Sequence, residues 1–306
     1  MAVFCLFLPS CSSINKLAMN LIADALTGDS SSDVFTGDPD AKLVGDALPF
    51  AIKMYESLLS ANPTHHGLML TTGSLFVMYA NAFVQGPAEM LPSNEYDTKK
   101  EAMARSKQLY LRGYKILTDA LEAKYPGFIQ EPDESDAFKS ILQKCKKDDV
   151  SLLYWTVAGG LAAYSIDIMD FELSANIFKW STMIHRAYEL DSDYSVAALD
   201  EFLVLFYASL PALLGGDIEL AKEHFKKAQE KTDGNSVSAY VSYVQAICIP
   251  EQDYDTFRDY LEKALDINPD DNPSTRLVNI ITQKKARWLL DNDWTFFSFL
   301  PIPDDY

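Results

Sequence analysis

The chain has 306 residues, of which 48% are hydrophobic, so it is long enough to bury a large core or to form a long stacked array. Its 44 Asp and Glu residues outnumber its 26 Lys and Arg residues. The resulting net charge of −18 argues against a nucleic-acid-binding protein, which needs clustered basic side chains, and favours a self-repelling surface or a docking face for a basic partner.

The first ten residues resemble the remnant of an export signal. The apolar run from Met1 to Leu8 is far too short to cross a bilayer. It leads into Leu8-Pro9-Ser10-Cys11, which resembles the cleavage and lipidation motif of bacterial lipoproteins. We therefore predict that residues 1–10 are removed and that Cys11 carries lipid, which would place the mature chain in the periplasm on a membrane anchor. The alternative is that these residues form a buried N-terminal helical turn.

A recurring pairing of small and aromatic residues predicts stacked helix pairs. Ala51 and Tyr55 stand one helical turn apart and Pro63 closes their helix, as in the second helix of a tetratricopeptide unit. Gly73 fits the first helix of the next unit, where a glycine lets two helices approach closely. The same kind of packing residue recurs downstream at Trp155, Gly159, Ala221, Phe225 and Ala264. The sequence therefore predicts an all-α fold, a tetratricopeptide-like α-solenoid of four to five helix pairs over residues 11–290.

The C-terminal part of the chain is expected to end this array. A capping helix is predicted over residues 274–290, with Lys284, Lys285 and Arg287 pointing outward. Residues 291–306 form an aromatic tail without helical periodicity. Because a free aromatic tail would promote aggregation, we expect it to pack on the solenoid or on a neighbouring chain.

Two amides and a tyrosine stand near the end of a largely apolar helix, which the sequence predicts over residues 66–85 with a stop at Gly86-Pro87. Asn81 and Gln85 lie one turn apart on the same face, and Tyr79 precedes them. A buried amide without a partner costs about 1–3 kcal/mol, so something must satisfy both amides. Either they bond to neighbouring backbone, or they line an internal cavity, together with Tyr79, through which a ligand passes.

The sequence contains no pattern that indicates catalysis, a metal or a cofactor. His65 and His66 are adjacent and therefore point to different helix faces, whereas metal ligands on a helix favour four-residue spacing. Cys145 and Cys248 lie in unrelated contexts, and no CxxC pair occurs. We expect a non-enzymatic protein with no cofactor.

Longer strings of the sequence resemble the TatT family, the T components associated with tripartite ATP-independent periplasmic (TRAP) transporters. They are VGDALPF at residues 44–50, ANAFVQGPA at 80–88, LYLRG at 109–113 and YPGF at 125–128. The resemblance implies a periplasmic, lipid-anchored tetratricopeptide protein that forms homotrimers. It also implies pairing with the transporter's solute-binding P component and delivery of a hydrophobic or organic-acid solute to the permease.

The alternative function is that of an envelope scaffold or assembly lipoprotein, which would use the repeat groove to hold proteins together without handling solute. The two functions predict different interiors. A continuous cavity that opens at the partner-docking face would favour transport, whereas a solid core with one open groove would favour the scaffold.

Overall fold

A computed structural model describes residues 34–132 and 135–301 of the chain. Within these ranges the chain is helical and contains no strand, which confirms the all-α prediction. The predicted signal remnant and the lipidation site at Cys11 lie outside the described residues.

Consecutive helices are joined mostly by short connections and pack against one another as hairpins. The first four are α1 (Ala41–Ala61), α2 (His66–Glu89), α3 (Tyr96–Lys124) and α4 (Asp136–Gln143). The middle five are α5 (Val150–Ile166), α6 (Phe171–Ser174), α7 (Ile177–Leu190), α8 (Ala198–Ser209) and α9 (Ile218–Lys231). The last three are α10 (residues 237–251), α11 (Tyr254–Asp266) and α12 (Arg276–Asp291).

Short polar side chains set many of the helix starts. Such a side chain stands just before the helix and accepts a backbone N–H of the first turn, which otherwise has no partner within the helix. The residues that cap helices in this way include Asp40, Ser135, Asp170, Asp217, Ser236 and Asp253.

Helix α2 continues past the point where the sequence predicted its end. The predicted stop is wrong because Ala80–Gln85 form a π-helical turn, after which the α-helix resumes through Pro87. In a regular α-helix the proline ring would clash with the carbonyl four residues earlier. The wider π turn avoids this geometry, and the Gly86 N–H instead bonds to the Asn81 carbonyl, five residues back. Helix α10 has the same arrangement, with a π turn before Pro250.

Two glycines bring α2 and α3 into close contact. A Cβ built on Gly73 would stand 2.5 Å from Leu117 Cγ and 3.1 Å from the Gly113 carbonyl oxygen. A Cβ on Gly113 would stand 2.7 Å from the Gly73 carbonyl oxygen. Helix α5 also approaches α2 at a glycine, since a Cβ on Gly159 would lie 3.0 Å from Val77 Cγ2. These backbones leave no room for larger side chains.

The residues that the sequence predicted for helix packing lie on the inner sides of the helices, and all but one of them are buried. Trp155 of α5 is only half-buried. The buried ones are Ala51 and Tyr55 of α1, Gly73 of α2, Gly159 of α5, Ala221 and Phe225 of α9, and Ala264 of α11.

The last helix packs against the first ones, so the two ends of the array meet. Leu277 of α12 is buried in the apolar cluster that holds Val44 of α1 and Phe76 of α2. Beside it, the Arg276 guanidinium donates to the carbonyl of Gly37 at 2.8 Å. Helix α12 also packs against α10 and α11. It therefore lies between the beginning and the end of the chain rather than standing as a free cap.

This position overturns the expectation that Lys285 faces outward. Lys284 and Arg287 are exposed, as the amphipathic pattern predicted. The Lys285 side chain is only 13% exposed and its Nζ lies 2.9 Å from Glu89 Oε2 of α2. The prediction failed because it assumed an open outer face, whereas part of that face is covered by α2.

The C-terminal tail folds back on the last hairpin. Phe297 is fully buried, with ring centroids 5.0 Å from Tyr254 and 4.8 Å from Phe257. The Gln252 amide donates to the Phe296 carbonyl at 3.0 Å and fastens the tail to the end of α10. Residues 302–306 lie outside the described part of the chain.

The close crossing at Gly73 yields a stability prediction. We expect Gly73→Leu to lower the free energy of unfolding by about 1–3 kcal/mol, because the new side chain would overlap Leu117 and the Gly113 backbone. The measurement is urea unfolding followed by circular dichroism. Ser57→Leu on the exposed face of α1 is the control and should change stability by less than about 0.5 kcal/mol. Equal stability of the two variants would contradict the crossing.

Candidate functional site

Four polar side chains from three helices meet where α12 contacts α2. Lys285 Nζ bonds to Glu89 Oε2 at 2.9 Å, and the Gln85 amide donates to Glu89 Oε1 at 2.8 Å. The Tyr110 hydroxyl of α3 donates to Gln85 Oε1 at 2.6 Å. We call these four residues the seam network. They form one continuous chain of hydrogen bonds from an ammonium group to a phenol.

The π turn of α2 positions this network. Gln85 is the last residue of the turn and Glu89 follows four residues later, so both side chains reach the same side of the helix. Single π turns inside α-helices occur frequently at functional sites. Burial raises the pKa of Tyr110, so its hydroxyl keeps its proton and remains a donor to Gln85.

The three residues that the sequence proposed as cavity-lining have different environments. Tyr79 is half-buried, and its hydroxyl lies 3.4 Å from the Arg105 guanidinium. Gln85 is half-buried and is satisfied by side chains rather than by backbone. The expectation that Asn81 is buried is wrong: it is exposed, because Ala80 and Val84 take the buried positions of the π turn. Tyr79 and Gln85 are thus fixed by partners, and the Asn81 side chain, although exposed, also bonds to the Tyr110 hydroxyl.

Sequence reasoning missed three members of the seam network. Glu89 could have been found, because it stands one helical turn beyond Gln85. Tyr110 appeared only as part of a family-like string. Lys285 gives no local signal, since it is 196 residues from Glu89 and only the tertiary fold brings them together.

Two small cavities among the described residues lie elsewhere, and neither is lined by Tyr79, Asn81 or Gln85. The larger has a volume of about 270 Å³ and is lined by Lys124, Tyr125, Pro126, Ile141 and Lys144. The smaller has a volume of about 120 Å³ and is lined by Tyr114, Thr118, Phe128, Ile129, Thr156, Asn176, Lys179 and Met183. Both are below the roughly 300 Å³ at which typical ligand pockets begin.

A buried carboxylate on α8 ties three helices together. Asp200 is fully buried, with His224 Nδ1 at 2.7 Å, Lys231 Nζ at 2.7 Å and the Tyr188 hydroxyl at 3.1 Å. Burial would raise the pKa of Asp200, but the hydrogen bonds from His224 and Lys231 outweigh it and hold the pKa below its ordinary value. The charged carboxylate therefore joins α7, α8 and α9.

The neighbouring carboxyl group behaves in the opposite way. Burial raises the pKa of Glu201 from its ordinary 4.5 to about 7, although a hydrogen bond from the Ser236 hydroxyl at 2.5 Å lowers it. The charge of Asp200 raises it further. Among the described residues the partner of Glu201 is a hydroxyl and not a cation, so its burial leaves it partly protonated at neutral pH.

Metal binding finds no support in residues 34–132 and 135–301, where no three His, Cys, Asp or Glu side chains converge as a metal site requires. His65 has a structural role, because its Nδ1 accepts the Leu68 N–H at 3.1 Å and caps α2. His66 is exposed.

Helix α2 is also long and apolar enough to span a membrane, by length and composition alone. Half of its apolar window is buried inside the fold, where it packs against α1, α3 and α5. A core helix of a soluble protein has the same properties, so this observation is weak evidence for a membrane span.

Comparison with known proteins identifies the class of this chain. The model of the TatT family, described as the TRAP transporter T-component, matches residues 37–297. A Treponema pallidum (strain Nichols) protein named "Uncharacterized protein" is 37% identical over 266 residues, which cover 86% of this chain and 82% of that protein. The chain belongs to the TatT family of TRAP transporter T components, which confirms the resemblance seen in the sequence.

The Glu89–Lys285 pair yields a prediction about the seam. We expect Glu89→Gln and Lys285→Met each to lower the free energy of unfolding by about 1–3 kcal/mol, because each leaves a half-buried charged partner without its bond. A double-mutant cycle measured by urea unfolding should give a coupling energy above about 0.5 kcal/mol. The exposed pair Lys115–Asp119 is the control and should give no more than about 0.5 kcal/mol. Equal coupling energies for the two pairs would show that the Glu89–Lys285 pair does not stabilise the contact between α12 and α2.

The environment of Glu201 predicts a pH dependence of stability. Because its pKa is higher in the folded chain than in the unfolded chain, its stabilising effect is complete below about pH 4.5 and is lost as the pH rises through 7. Glu201→Gln should therefore be more stable than the parent by about 1–3 kcal/mol at pH 8, with the difference shrinking towards pH 5. Thermal or urea unfolding across this pH range measures the difference. The exposed Glu101→Gln control should show no such trend, and a pH-independent difference for Glu201→Gln would contradict the raised pKa.

Proposed function

We propose that this chain is the non-enzymatic accessory subunit of a TRAP-type transporter and that it docks the transporter's solute-binding P component in the periplasm. The observation that carries the proposal is the family match over residues 37–297, which includes nearly all of the described chain. The strongly acidic composition supports a docking role towards a protein with a basic surface.

In this proposal the helix pairs form a tetratricopeptide-like array, and three copies assemble as a homotrimer. The successive hairpins from α2 to α11 support the repeat architecture, as do the close crossings at Gly73 and Gly159. Arrays of this kind present extended surfaces built from several helices, which suits protein docking.

A hydrophobic or organic-acid solute would pass along the part of α2 that carries Tyr79, Asn81 and Gln85. The exposure of Asn81 supports this route, because its amide bonds to the Tyr110 hydroxyl and still has capacity to contact a carboxylate or its water. The seam network joins α2 to α12 beside it. Passage between these two helices therefore requires that the Glu89–Lys285 pair separates.

The second candidate function is an envelope scaffold that assembles proteins without handling solute. The two cavities described above support it, since both fall below the usual size of a ligand pocket and neither is lined by the proposed solute residues. The two functions make different predictions for uptake. A stable Gln85→Leu variant that still binds the P component should reduce solute uptake only if this chain handles solute.

The proposal also includes a lipid anchor at Cys11. We expect Cys11→Ser to move the protein from the membrane fraction to the soluble periplasmic fraction, because the several acyl chains of a bacterial lipoprotein hold a protein firmly and their loss leaves no anchor. Cell fractionation with immunoblotting measures the change, and Cys145→Ser serves as the control. Unchanged membrane association of the Cys11→Ser variant would place the anchor elsewhere.

The docking proposal is tested by native mass spectrometry of the mature chain with the purified P component of the same transporter. We expect a complex containing both proteins, with three copies of this chain. The spectra also report any small molecule that the complex retains. Absence of a complex at concentrations well above micromolar would contradict the docking proposal.

A further inference from the structure

Three large apolar side chains project from the turn between α5 and α6. Ile168, Met169 and Phe171 are 65%, 69% and 80% exposed, although each is a residue type that folded proteins usually bury. We call these three residues the apolar tip. Isolated exposed apolar residues are common, but three of them at one turn form a patch of the kind that marks interaction sites.

The turn that carries the apolar tip is held rigidly. Lys107 Nζ of α3 bonds to Asp167 Oδ2 and to Asp170 Oδ2, both at 2.8 Å. Asp170 also caps α6 through the N–H groups of Glu172 and Leu173. The Leu173 side chain is buried beneath the turn. A turn fixed in this way loses little conformational entropy when a partner binds, so its exposed side chains are preorganised for contact.

The neighbouring hairpin extends this surface. Helices α8 and α9 form the next hairpin after α5 and α7, so their connecting turn is expected to lie on the same edge of the array. That turn carries Leu213, which is 92% exposed. Lys222 lies in the first turns of α9, and its Nζ is 3.5 Å from Glu251 Oε1 at the end of α10. This ion pair joins the edge to the following hairpin. We therefore expect the apolar side chains of the two turns to follow one edge.

The same edge is acidic. The carboxylates at these turns and helix ends are Asp167, Asp170, Glu172, Asp217, Glu219, Glu251, Asp253 and Asp255. Lys107 and Lys222 neutralise part of this charge. Such a surface would be repelled by anionic lipid headgroups, whereas it complements a protein that carries basic residues around an apolar recess.

We infer that the edge carrying the apolar tip and Leu213 is the surface that docks the P component. The P component would contact this edge through a basic surface with apolar recesses. This inference rests on the proposed function, because it assumes that the P component is the partner. The apolar tip supplies the buried anchors of the interface, and the surrounding carboxylates supply long-range attraction and orientation.

The test is isothermal titration calorimetry of the mature chain with the P component. The triple variant Ile168→Ser/Met169→Ser/Phe171→Ser should bind at least tenfold more weakly than the parent, and Leu213→Ser should also weaken binding. The matched control is Phe50→Ser on α1, where a phenylalanine is 76% exposed, and it should bind within twofold of the parent. Binding of the parent should also weaken at higher salt.

The outcomes separate the inference from the function on which it rests. If the parent binds and the apolar-tip variant binds equally well, the docking edge is wrong but the proposed function stands. If the parent does not bind the P component, both are overturned. Sedimentation with phosphatidylethanolamine–phosphatidylglycerol vesicles gives the remaining outcome. Vesicle binding by the parent that the triple variant loses would make the apolar tip a membrane contact and overturn the inference. All variants change exposed residues, so circular dichroism should show unaltered folds.

Discussion

The burial of Leu277 against α1 and α2 joins the two ends of the helical array. An apolar side chain of this size stabilises a contact by about 1.5–3 kcal/mol when it is fully removed from water. Two further residues of α12 fix its orientation. Arg276 bonds to the Gly37 carbonyl, and Lys285 pairs with Glu89 of α2. In an open array each unit contacts only its neighbours, but here the first helices also depend on the last one. This position of α12 also brings Lys285 within hydrogen-bond distance of Glu89.

Two adjacent carboxyl groups of α8, Asp200 and Glu201, differ in their protonation. Asp200 remains ionised because His224, Lys231 and Tyr188 surround it, and it joins three helices of the central hairpins. Burial raises the pKa of Glu201, the next residue, and the hydrogen bond from the Ser236 hydroxyl only partly offsets this effect. Adjacent residues on one helix point in different directions, and the partner that each meets decides its protonation. Where α12 contacts α2, Lys285 forms an ion pair with Glu89.

The sequence predicted what depends on local pattern. Helical periodicity predicted an all-α chain, and residue strings such as ANAFVQGPA predicted the family. The rule that proline stops a helix failed at Pro87, because a π turn accommodates the proline and the helix continues. Nothing in the local sequence distinguishes a helix that ends before the proline from one that continues through it. The position of Asn81 was misjudged because α2 is apolar on nearly every side, so its pattern does not indicate which side is buried. Lys285 was misjudged because its partner lies 196 residues away.

Hydrogen exchange of the α1 amides in Leu277→Ala tests the closure most directly. The substitution should destabilise the contact by about 2–5 kcal/mol, as for other buried leucines. Leu142→Ala in α4 is the matched control, since Leu142 is 3% exposed and Leu277 is 4% exposed, but Leu142 belongs to a different cluster. If α12 holds the first helices, Leu277→Ala will reduce protection in α1 as well as in α12, and Leu142→Ala will affect α1 much less. Protection of α1 that is unchanged in Leu277→Ala would contradict the account.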